Sequence, residues 1–389
     1  MIHGFSVSNF FSIKSRQDIN FRVARNATAP DGHFAMRGQH TRLPKVISIF
    51  GANASGKTNI LKALVFLKHF ITESYLYQAD EKPLYWKFYS KDVENVPTIF
   101  EVEFCIPERL HVDHYIYKYE LHLREGKVVY ESLSRSLNGK SKTLFIRKLS
   151  KIQSSEDFEL PNRDPVKKKI RKNTSVLSVL AQFNHRLSLE IVRAVECLFT
   201  NVNIAGKIHG NSHKLATDFY HRNKDIFVEF NEFIQWADFG IESVLLRDDE
   251  NGISPLFHHA GLSNPIMYWA ESGGTRAMYI LLPYILKSLR TGGITVLDEL
   301  DADLHPILMP KIVELFHDKT ANPYDAQLIF SAHNATIMRD LCKEEIYFTE
   351  KSIKGETHFY GLKEIKDVRR NENFTSKYLS GIYGAIPNV

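Results

Sequence analysis

The segment Gly51–Thr58 constrains this chain more than any other, because it reads GANASGKT and fits the pattern G-x-x-x-x-G-K-[ST]. Val46–Phe50 precedes it and is short, apolar and rich in β-branched residues, which predicts a buried strand. Asn59–Leu67 follows it with apolar residues at helical spacing. A strand, a glycine-containing loop and a helix N-terminus together form a cradle for phosphate groups. The sequence therefore predicts a nucleoside-triphosphate site at this segment.

The residue types in this segment suit separate roles in a phosphate site. Gly51 and Gly56 allow backbone angles and close approaches that a Cβ would prevent. We expect the backbone N–H groups of the loop to bind the phosphates, Lys57 to contact the β and γ oxygens, and the Thr58 hydroxyl to ligate Mg²⁺. The residues predicted to bind the nucleotide are Gly51, Asn53, Ala54, Ser55, Gly56, Lys57, Thr58 and Asn59.

A chain of 389 residues is longer than a single hydrophobic core usually accommodates, so more than one lobe is expected. The content of 43% hydrophobic and 24% charged residues is typical of a globular protein. No apolar run has membrane-spanning length, and the first residues lack the pattern of a secretory signal. Cys105, Cys197 and Cys342 are far apart, which favours reduced thiols over disulfides or zinc ligands. These features predict a cytoplasmic protein that does not interact with a membrane.

The formal net charge of +5 is unevenly distributed. Gly139–Lys172 contains eleven Lys and Arg against four Asp and Glu, a net charge of +7 that exceeds the charge of the whole chain. A basic face of this kind suits the phosphates of a nucleic acid. A solvated loop followed by the start of a helix is the alternative, and the segment contains no known reader motif. The pattern leaves both interpretations open.

The first two-thirds of the chain contain two further kinds of pattern. Gly4–Phe10 and Gln17–Val23 predict a pair of strands. Short alternating runs separated by turn residues between Pro83 and Leu149 predict an antiparallel meander. Asp164–Phe239 has apolar residues at helical spacing, too short for a long coiled-coil arm.

After residue 256 the pattern alternates between helices and strands, which predicts a mostly parallel sheet covered on both faces. The predicted elements are a helix at Arg276–Leu289, a strand at Ile294–Leu297, a helix at Pro306–His317 and a strand at Ala326–Ser331. The fold class is therefore α/β. We assign residues 1–80 to the first half of the nucleotide-binding lobe, 81–150 to an antiparallel β subdomain, 151–255 to a helical insertion and 256–389 to the second half of the lobe.

Three residues in the second half have candidate chemical roles. Asp298 and Glu299 follow a predicted strand, where the carboxyl edge of a parallel sheet meets the phosphates. We expect Asp298 to hold Mg²⁺ together with Thr58, and Glu299 to polarise the attacking water. His333 follows the next buried strand and is placed to sense the γ-phosphate. The alternatives are that the two acids cap the next helix and that the histidine has a purely structural role.

The segment Ser272–Arg276 predicts a second anion-binding helix N-terminus. One ATP has no need of two such sites from one chain, so we expect this turn to meet the γ-phosphate held by another protomer. The alternative is an ordinary turn that opens a helix. The residues predicted to act in this way are Ser272, Gly273, Gly274 and Thr275.

Four segments together resemble an ABC-type ATPase head: Gly51–Asn59, Glu271–Thr275, Asp298–Pro306 and His333. More narrowly, they resemble the bacterial AAA15 family of ATPases. That family is related to the SMC, RecF and OLD-nuclease heads and is found mostly in anti-phage and abortive-infection loci. The resemblance covers nearly the whole chain and extends to the tail Tyr378–Pro387, which is similar to the closing pattern of that family.

The resemblance implies two heads that sandwich two ATP molecules with Mg²⁺. Asp301 would lie in the loop that links the two sites, and His333 would be the switch histidine. The sequence departs from the family pattern at Asn334, where an acid is usual, and at Glu344–Glu345, where aspartate and glutamine are usual.

For function, the resemblance implies an ATPase whose ATP-driven dimerisation or higher assembly controls a separate effector, a nuclease or toxin, in phage defence. One alternative is an SMC- or RecF-like ATPase that acts on DNA through Gly139–Lys172. Another is an ATP-locked scaffold that hydrolyses slowly or never.

Overall fold

The structure of the chain is a computed structural model. It describes residues 1–37, 41–107, 115–160, 164–208, 212–237, 240–250, 252–302, 304 and 306–387. Residues 161–163 of the segment Gly139–Lys172, Phe239, and residues 303 and 305 of the segment Asp298–Pro306 lie outside this part of the chain.

The strands within these residues are numbered in chain order. They are β1 (Ile2–Ser8), β2 (Gln17–Asn20), β3 (Phe34–Arg37), β4 (Thr41–Pro44), β5 (Val46–Phe50), β6 (Thr98–Cys105), β7 (Ile116–Arg124), β8 (Lys127–Leu137), β9 (Lys140–Lys148), β10 (Lys151–Ser154), β11 (Leu198–Thr200), β12 (Val202–Asn203), β13 (Gly206–Lys207), β14 (Ile241–Asp249), β15 (Gly252–His259), β16 (Ile266–Met267), β17 (Ile294–Leu297), β18 (Gln327–Ser331), β19 (Ile346–Lys351) and β20 (Thr357–Gly361).

The α-helices are numbered in the same way. They are α1 (Lys57–Glu73), α2 (Asp164–Lys169), α3 (Val176–Gln182), α4 (Arg186–Glu196), α5 (Ser212–Arg222), α6 (Lys224–Trp236), α7 (Gly273–Thr291), α8 (Leu308–His317) and α9 (Phe374–Leu379). Gly292 ends α7 in the left-handed conformation, which a glycine adopts without steric cost. None of the helices in the described part of the chain is long and apolar enough to cross a membrane.

The central sheet has six strands in the order β11-β17-β18-β5-β19-β20. All neighbouring pairs are parallel except β19 and β20, which form an antiparallel pair at one edge. Every residue of β5 and of β18 is buried, because both strands lie in the middle of a sheet that is covered on both faces. The fold class predicted from the sequence, α/β with a mostly parallel sheet, is confirmed.

Alternate residues of β5 separate two apolar clusters on the opposite faces of this sheet. Ile47 and Ile49 belong to the cluster that contains α1, α3 and α4. Val46 and Phe50 belong to the cluster that contains α6, α7 and α8. This division follows from the period of two residues in a strand.

The second large sheet is antiparallel and has seven strands in the order β10-β9-β8-β7-β6-β1-β2. The meander predicted between Pro83 and Leu149 forms β6 to β9. Its neighbours β1 and β10 come from sequence segments outside residues 81–150. β1 pairs with β6, with Phe5 opposite Val102 and Val7 opposite Phe100, so that apolar residues of both strands share a buried face.

The region between residues 151 and 255 contains more than helices. It begins with β10, contributes β11 as an edge strand of the central sheet and contains β14 of a small three-stranded sheet. α3 and α4 contact α1, whereas α5 and α6 contact α7. The chain therefore covers first one face of the central sheet and then the other, with β11 between the two helical pairs.

Candidate nucleotide-binding site

The loop Gly51–Gly56 connects β5 to α1 as the sequence predicts. Gly51 has φ 153° and Gly56 has φ 112°, and a Cβ on Gly56 would collide with the side chain of Thr357. Glycine is therefore required at this position. Asn53 and Ala54 are exposed at the tip of the loop.

The N-terminus of α1 has no capping side chain and no acidic residue in its first turn. Its first backbone N–H groups therefore remain as donors, and the positive end of the dipole of a 17-residue helix points toward the loop. Both features favour an anion at this end of the helix.

Lys57 is buried against the loop, where its Nζ donates to the carbonyl oxygens of Gly51 at 2.9 Å and Ala52 at 3.1 Å. Burial lowers the pKa of Lys57, and the nearby carboxylate of Asp298 opposes this shift. A desolvated ammonium group at this position gains more from an approaching phosphate than one in water does.

The loop is held in place by residues from both ends of the chain. The Oγ atoms of Ser55 and Thr349 are 2.6 Å apart, and the hydroxyl of Thr357 donates to the Ser55 carbonyl at 2.8 Å. Asn59 Nδ2 donates to Ser12 Oγ at 2.7 Å, and Ser12 Oγ lies 2.7 Å from Thr357 Oγ1. The sequence analysis missed Ser12, Thr349 and Thr357, because a hydroxyl residue in a strand or turn has no local pattern that indicates such contacts.

Asp298 lies directly after β17 and meets the start of α1. The Thr58 hydroxyl donates to Asp298 Oδ2 at 2.8 Å, and the Ser331 hydroxyl donates to Oδ1 at 2.5 Å. Asn201 accepts from the Asp298 backbone N–H and donates to its carbonyl oxygen. The predicted pair Thr58 and Asp298 is thus brought together across 240 residues of sequence, and its hydroxyl and carboxylate oxygens are donors that Mg²⁺ prefers.

Glu299 projects beyond the end of β17. Its φ of 49° is in the left-handed region, which non-glycine residues seldom adopt, and its N–H donates to Ser331 Oγ at 2.8 Å. Its side chain is 42% exposed, with Oε1 3.9 Å from His333 Nε2 and Oε2 3.6 Å from Lys207 Nζ. The backbone turn therefore directs this carboxylate outward at the edge of the sheet that bears the phosphate loop.

His333 follows β18 at the same edge, and Asp301 holds the turn in which it lies. Asp301 Oδ2 accepts from the backbone N–H groups of His333 at 2.8 Å and Asn334 at 2.6 Å. Asn334 in turn caps the next helical turn through the N–H of Thr336. The amide at position 334, where the AAA15 pattern has an acid, therefore serves as a helix cap.

The predicted second anion site forms the N-terminus of α7. The Ser272 hydroxyl accepts from the N–H of Thr275 at 3.1 Å and lies 2.9 Å from its Oγ1. Ser272 and Gly273 are exposed, and no atom is within 4 Å of the space that a Cβ on Gly273 would occupy. Gly274 is only half-buried. No hydrogen bond or ion pair in the described residues joins this turn to the phosphate loop of the same chain.

The sequence of the chain matches, over residues 46–339, a family described as "AAA domain, putative AbiEii toxin, Type IV TA system". No curated protein is significantly similar to the chain.

Among solved structures, the chain is similar to an SMC head bound to the C-winged helix domain of ScpA, with a TM-score of 0.51 and 15% identity over 92% of this chain and 97% of that chain. An SMC head with an extended coiled coil from Pyrococcus furiosus, bound to the C-terminal domain of ScpA, has a TM-score of 0.48 and 15% identity over 98% of this chain and 99% of that chain. The first similarity shows an SMC head-like α/β fold.

The family match extends over more than half of the chain and includes the phosphate loop, β17 with Asp298 and Glu299, and His333. The chain therefore belongs to this family of AAA-domain proteins, and its α/β fold is similar to that of an SMC head.

Proposed function

We propose that this chain binds and hydrolyses ATP, and that ATP joins two copies of the chain. The observation that carries the proposal is the hydrogen bond between Thr58 and Asp298, because it places a hydroxyl and a carboxylate at the entrance of an uncapped helix N-terminus. Thr58 and Asp298 would hold Mg²⁺, which would neutralise charge on the β and γ phosphates. The Lys57 ammonium group would contact the same phosphates as a point charge.

Glu299 and His333 are the candidates for the hydrolytic step. A carboxylate at the exposed edge of the sheet can accept hydrogen bonds from a water molecule and orient it toward the γ-phosphate. His333 lies beside this carboxylate and can donate from its Nε2 to a γ-phosphate oxygen. Asp301 would hold the backbone of His333 in position through its two N–H contacts.

The exposed N-terminus of α7 supports assembly of two chains. Ser272 and Gly273 face away from the protein, and the helix that follows has 19 residues. A γ-phosphate held by a second copy would be a suitable anion for this N-terminus. Each composite site would then combine the phosphate loop of one protomer with Ser272, Gly273, Gly274 and Thr275 of the other.

We further propose that this assembly controls a separate effector protein in phage defence. The family description, which names a toxin and a toxin–antitoxin system, and the resemblance to the AAA15 pattern both support this role. The SMC head in the solved structure is bound to a winged-helix domain of another protein. A separate nuclease or toxin is the corresponding partner proposed for this chain.

DNA binding is the second candidate function, and the exposed lysines of Gly139–Lys172 favour it. Two basic residues of the segment are unavailable for it, because Arg147 is buried and Arg171 donates to the Tyr75 carbonyl oxygen. The exposed lysines that remain are Lys140, Lys142, Lys148, Lys151, Lys168, Lys169 and Lys172. Binding through them should weaken steeply as the salt concentration rises.

Light scattering of the purified protein with ATP and Mg²⁺ tests the assembly. Glu299→Gln should accumulate an ATP-dependent dimer or larger assembly, because nucleotide binding is retained while hydrolysis is blocked. Combining Glu299→Gln with Ser272→Asp should prevent assembly, since a carboxylate would repel the γ-phosphate, and leave ATP binding by the monomer intact. If the wild type forms ATP-dependent dimers but does not hydrolyse ATP, the chain would instead be an ATP-locked scaffold. If no nucleotide produces an assembly, the proposed sandwich is wrong.

Purification of the tagged chain from its native host, with and without ATP and Mg²⁺, tests the partner. A stoichiometric protein whose retention depends on the nucleotide would support effector control. Bound DNA without a protein partner would support the DNA-binding alternative, and Lys148→Glu and Lys151→Glu would then be expected to reduce binding.

A further inference from the structure

A second cluster of polar groups lies outside the nucleotide site, around the buried carboxylate of Glu345. Glu345 immediately precedes β19, and its side chain is 0% exposed. Its Oε2 lies 2.9 Å from His33 Nδ1 and accepts from the Cys342 N–H at 2.9 Å, and its Oε1 lies 2.8 Å from His317 Nε2. The cluster therefore combines two imidazoles, a thiol and a carboxylate from three distant parts of the sequence.

Three of these residues lie close enough together to form a metal site after a small movement. His33, Cys342 and Glu345 each offer one ligand atom, and these atoms all lie within 4.8 Å of one another. Bonds of about 2.0–2.3 Å place the ligands of a tetrahedral zinc ion about 3.3–3.8 Å apart. A movement of about 1 Å thus brings the three atoms to the spacing that such an ion requires.

The chemistry of the donors selects the kind of metal. Imidazole nitrogen and thiolate sulfur suit zinc and other late transition metals, whereas Mg²⁺ and Ca²⁺ prefer oxygen ligands alone. A nitrogen, a sulfur and an oxygen therefore make a borderline-soft site that differs from the oxygen donors of Thr58 and Asp298. We propose that His33, Cys342 and Glu345 bind a divalent transition-metal ion, best matched by zinc.

His317 supports this site from outside the ligand set. It contacts the carboxylate oxygen of Glu345 opposite to the one that faces His33, and its ring stacks on His33 with centroids 3.7 Å apart. A hydrogen bond to the second oxygen fixes the orientation of a ligating carboxylate and usually contributes to metal affinity. His317 is therefore a positioning residue.

The cluster is accessible from solvent. His33, His317 and Cys342 line a surface cavity of about 780 Å³, so an ion can enter without unfolding of the protein. Three protein ligands leave a fourth tetrahedral position for water or another small ligand, an arrangement found in zinc sites that are not purely structural.

The ion would be bound outside the phosphate loop. It would link the residue before β3 to the residues before β19, and these two strands are not paired with each other. The Glu345 carbonyl oxygen accepts from the N–H and the hydroxyl of Ser48 in β5, at 2.8 and 2.7 Å. The phosphate loop begins at Gly51, three residues after Ser48. The metal would therefore join the segment before β3 to the start of β19, beside the strand that carries the loop.

Titration of the metal-free full-length protein with Co²⁺ tests the proposal, because a cobalt–thiolate bond absorbs in the near ultraviolet. The wild type should bind one Co²⁺ per chain with this absorption, and one equivalent of Zn²⁺ should displace it. Cys342→Ser should abolish the absorption and weaken Co²⁺ binding about tenfold or more, whereas His317→Gln should keep the absorption and weaken binding about 10- to 100-fold.

Cys197→Ser is the matched control, because Cys197 is also a half-buried free thiol but lies outside the cluster. It should retain the absorption and the affinity. Thermal unfolding of each metal-free variant checks its folding, and His33→Gln provides a second ligand variant if Cys342→Ser does not fold. A wild type without thiolate absorption, a folded Cys342→Ser variant that retains the absorption, or a folded His33→Gln variant that binds Co²⁺ as tightly as the wild type overturns the proposal.

Discussion

In the antiparallel sheet, Glu131 and Arg147 form an ion pair whose side chains are 0% and 1% exposed, whereas at the carboxyl edge of the parallel sheet Glu299 and His333 are 42% and 41% exposed. The buried pair has partners on every side. Tyr119 and Ser175 donate to Glu131, and Arg147 donates to the Thr174 and Arg171 carbonyl oxygens. Glu299 and His333 retain groups that face solvent.

The difference follows from how each sheet ends. In an antiparallel meander, successive strands reverse direction, so no single edge collects the same ends of the strands. In the parallel sheet, the carboxyl ends of β5, β17 and β18 meet at one edge, which brings Lys57, Asp298 and His333 together. In the antiparallel sheet, Glu131 and Arg147 therefore bind each other in the interior. At the edge of the parallel sheet, Glu299 and His333 remain available to a ligand.

The largest effect expected is on hydrolysis in the Glu299→Gln variant. Loss of the carboxylate should reduce the rate of ATP hydrolysis about 10²- to 10⁴-fold, because an amide cannot accept a proton from water. The free energy of unfolding should be unchanged, since the side chain is exposed. Steady-state phosphate release and chemical denaturation measure the two quantities. Hydrolysis at the wild-type rate would contradict the role of Glu299.

The next largest effect is expected for Arg147→Ala in the antiparallel sheet, which should lower stability without changing ATP binding. Arg147→Ala should reduce the free energy of unfolding by about 3–5 kcal/mol, because it leaves the Glu131 carboxylate buried without its countercharge. ATP affinity of the folded fraction should not change. Lys148→Ala is the matched control, since Lys148 is adjacent and exposed, and it should alter stability by less than about 0.5 kcal/mol. Equal losses in the two variants would remove the distinction between the sheets.

The corresponding change in the parallel sheet is Lys57→Ala. It should weaken ATP binding by about 2–5 kcal/mol, about 30-fold or more, because the ammonium group is desolvated and its phosphate contact is lost. Stability in the absence of nucleotide should not fall, since the buried charge is removed together with its desolvation cost. Isothermal titration with ATP and thermal unfolding measure both. Tight ATP binding by the variant would argue against the phosphate site.

The smallest effect expected is at the N-terminus of α7. Ser272→Ala should reduce the free energy of unfolding by about 1 kcal/mol, because the Thr275 N–H loses its capping acceptor. Ser272→Asp should restore most of this stability, since aspartate is also a good N-cap. Chemical denaturation of the two variants measures the difference. If both variants lose the same stability, the hydroxyl of Ser272 does not act as a cap.

Three of the six strands of the central sheet, β5, β17 and β18, could be predicted from sequence because their signals are local. The loop Gly51–Thr58, the strand before Asp298 and the helix after Ser272 each carry their pattern within about ten residues. Proximity of Asp298 to Thr58 followed from the rule that parallel strands share a carboxyl edge.

The remaining features depend on contacts between distant residues. β11 has only three residues, and its place beside β17 is set by pairing across nearly one hundred positions. Arg147 belongs to a basic segment for which the sequence predicts exposed side chains, either solvated or bound to nucleic acid. It is nevertheless buried, because its partner Glu131 lies opposite on the neighbouring strand. The spacing of the cysteines argued against a zinc ligand, because His33 and Cys342 approach each other only in the folded chain.

The order of the strands also affects how this protein is made. β5 is synthesised long before its two neighbours, β18 and β19, which begin at residues 327 and 346. Synthesis at about 5–20 residues per second needs about 15–60 s to proceed from Phe50 to Ser331. During this interval the apolar strand has neither of its partners. A nascent chain of this protein should therefore depend on chaperones until β18 and β19 have been translated, and it should gain nucleotide binding only at that stage.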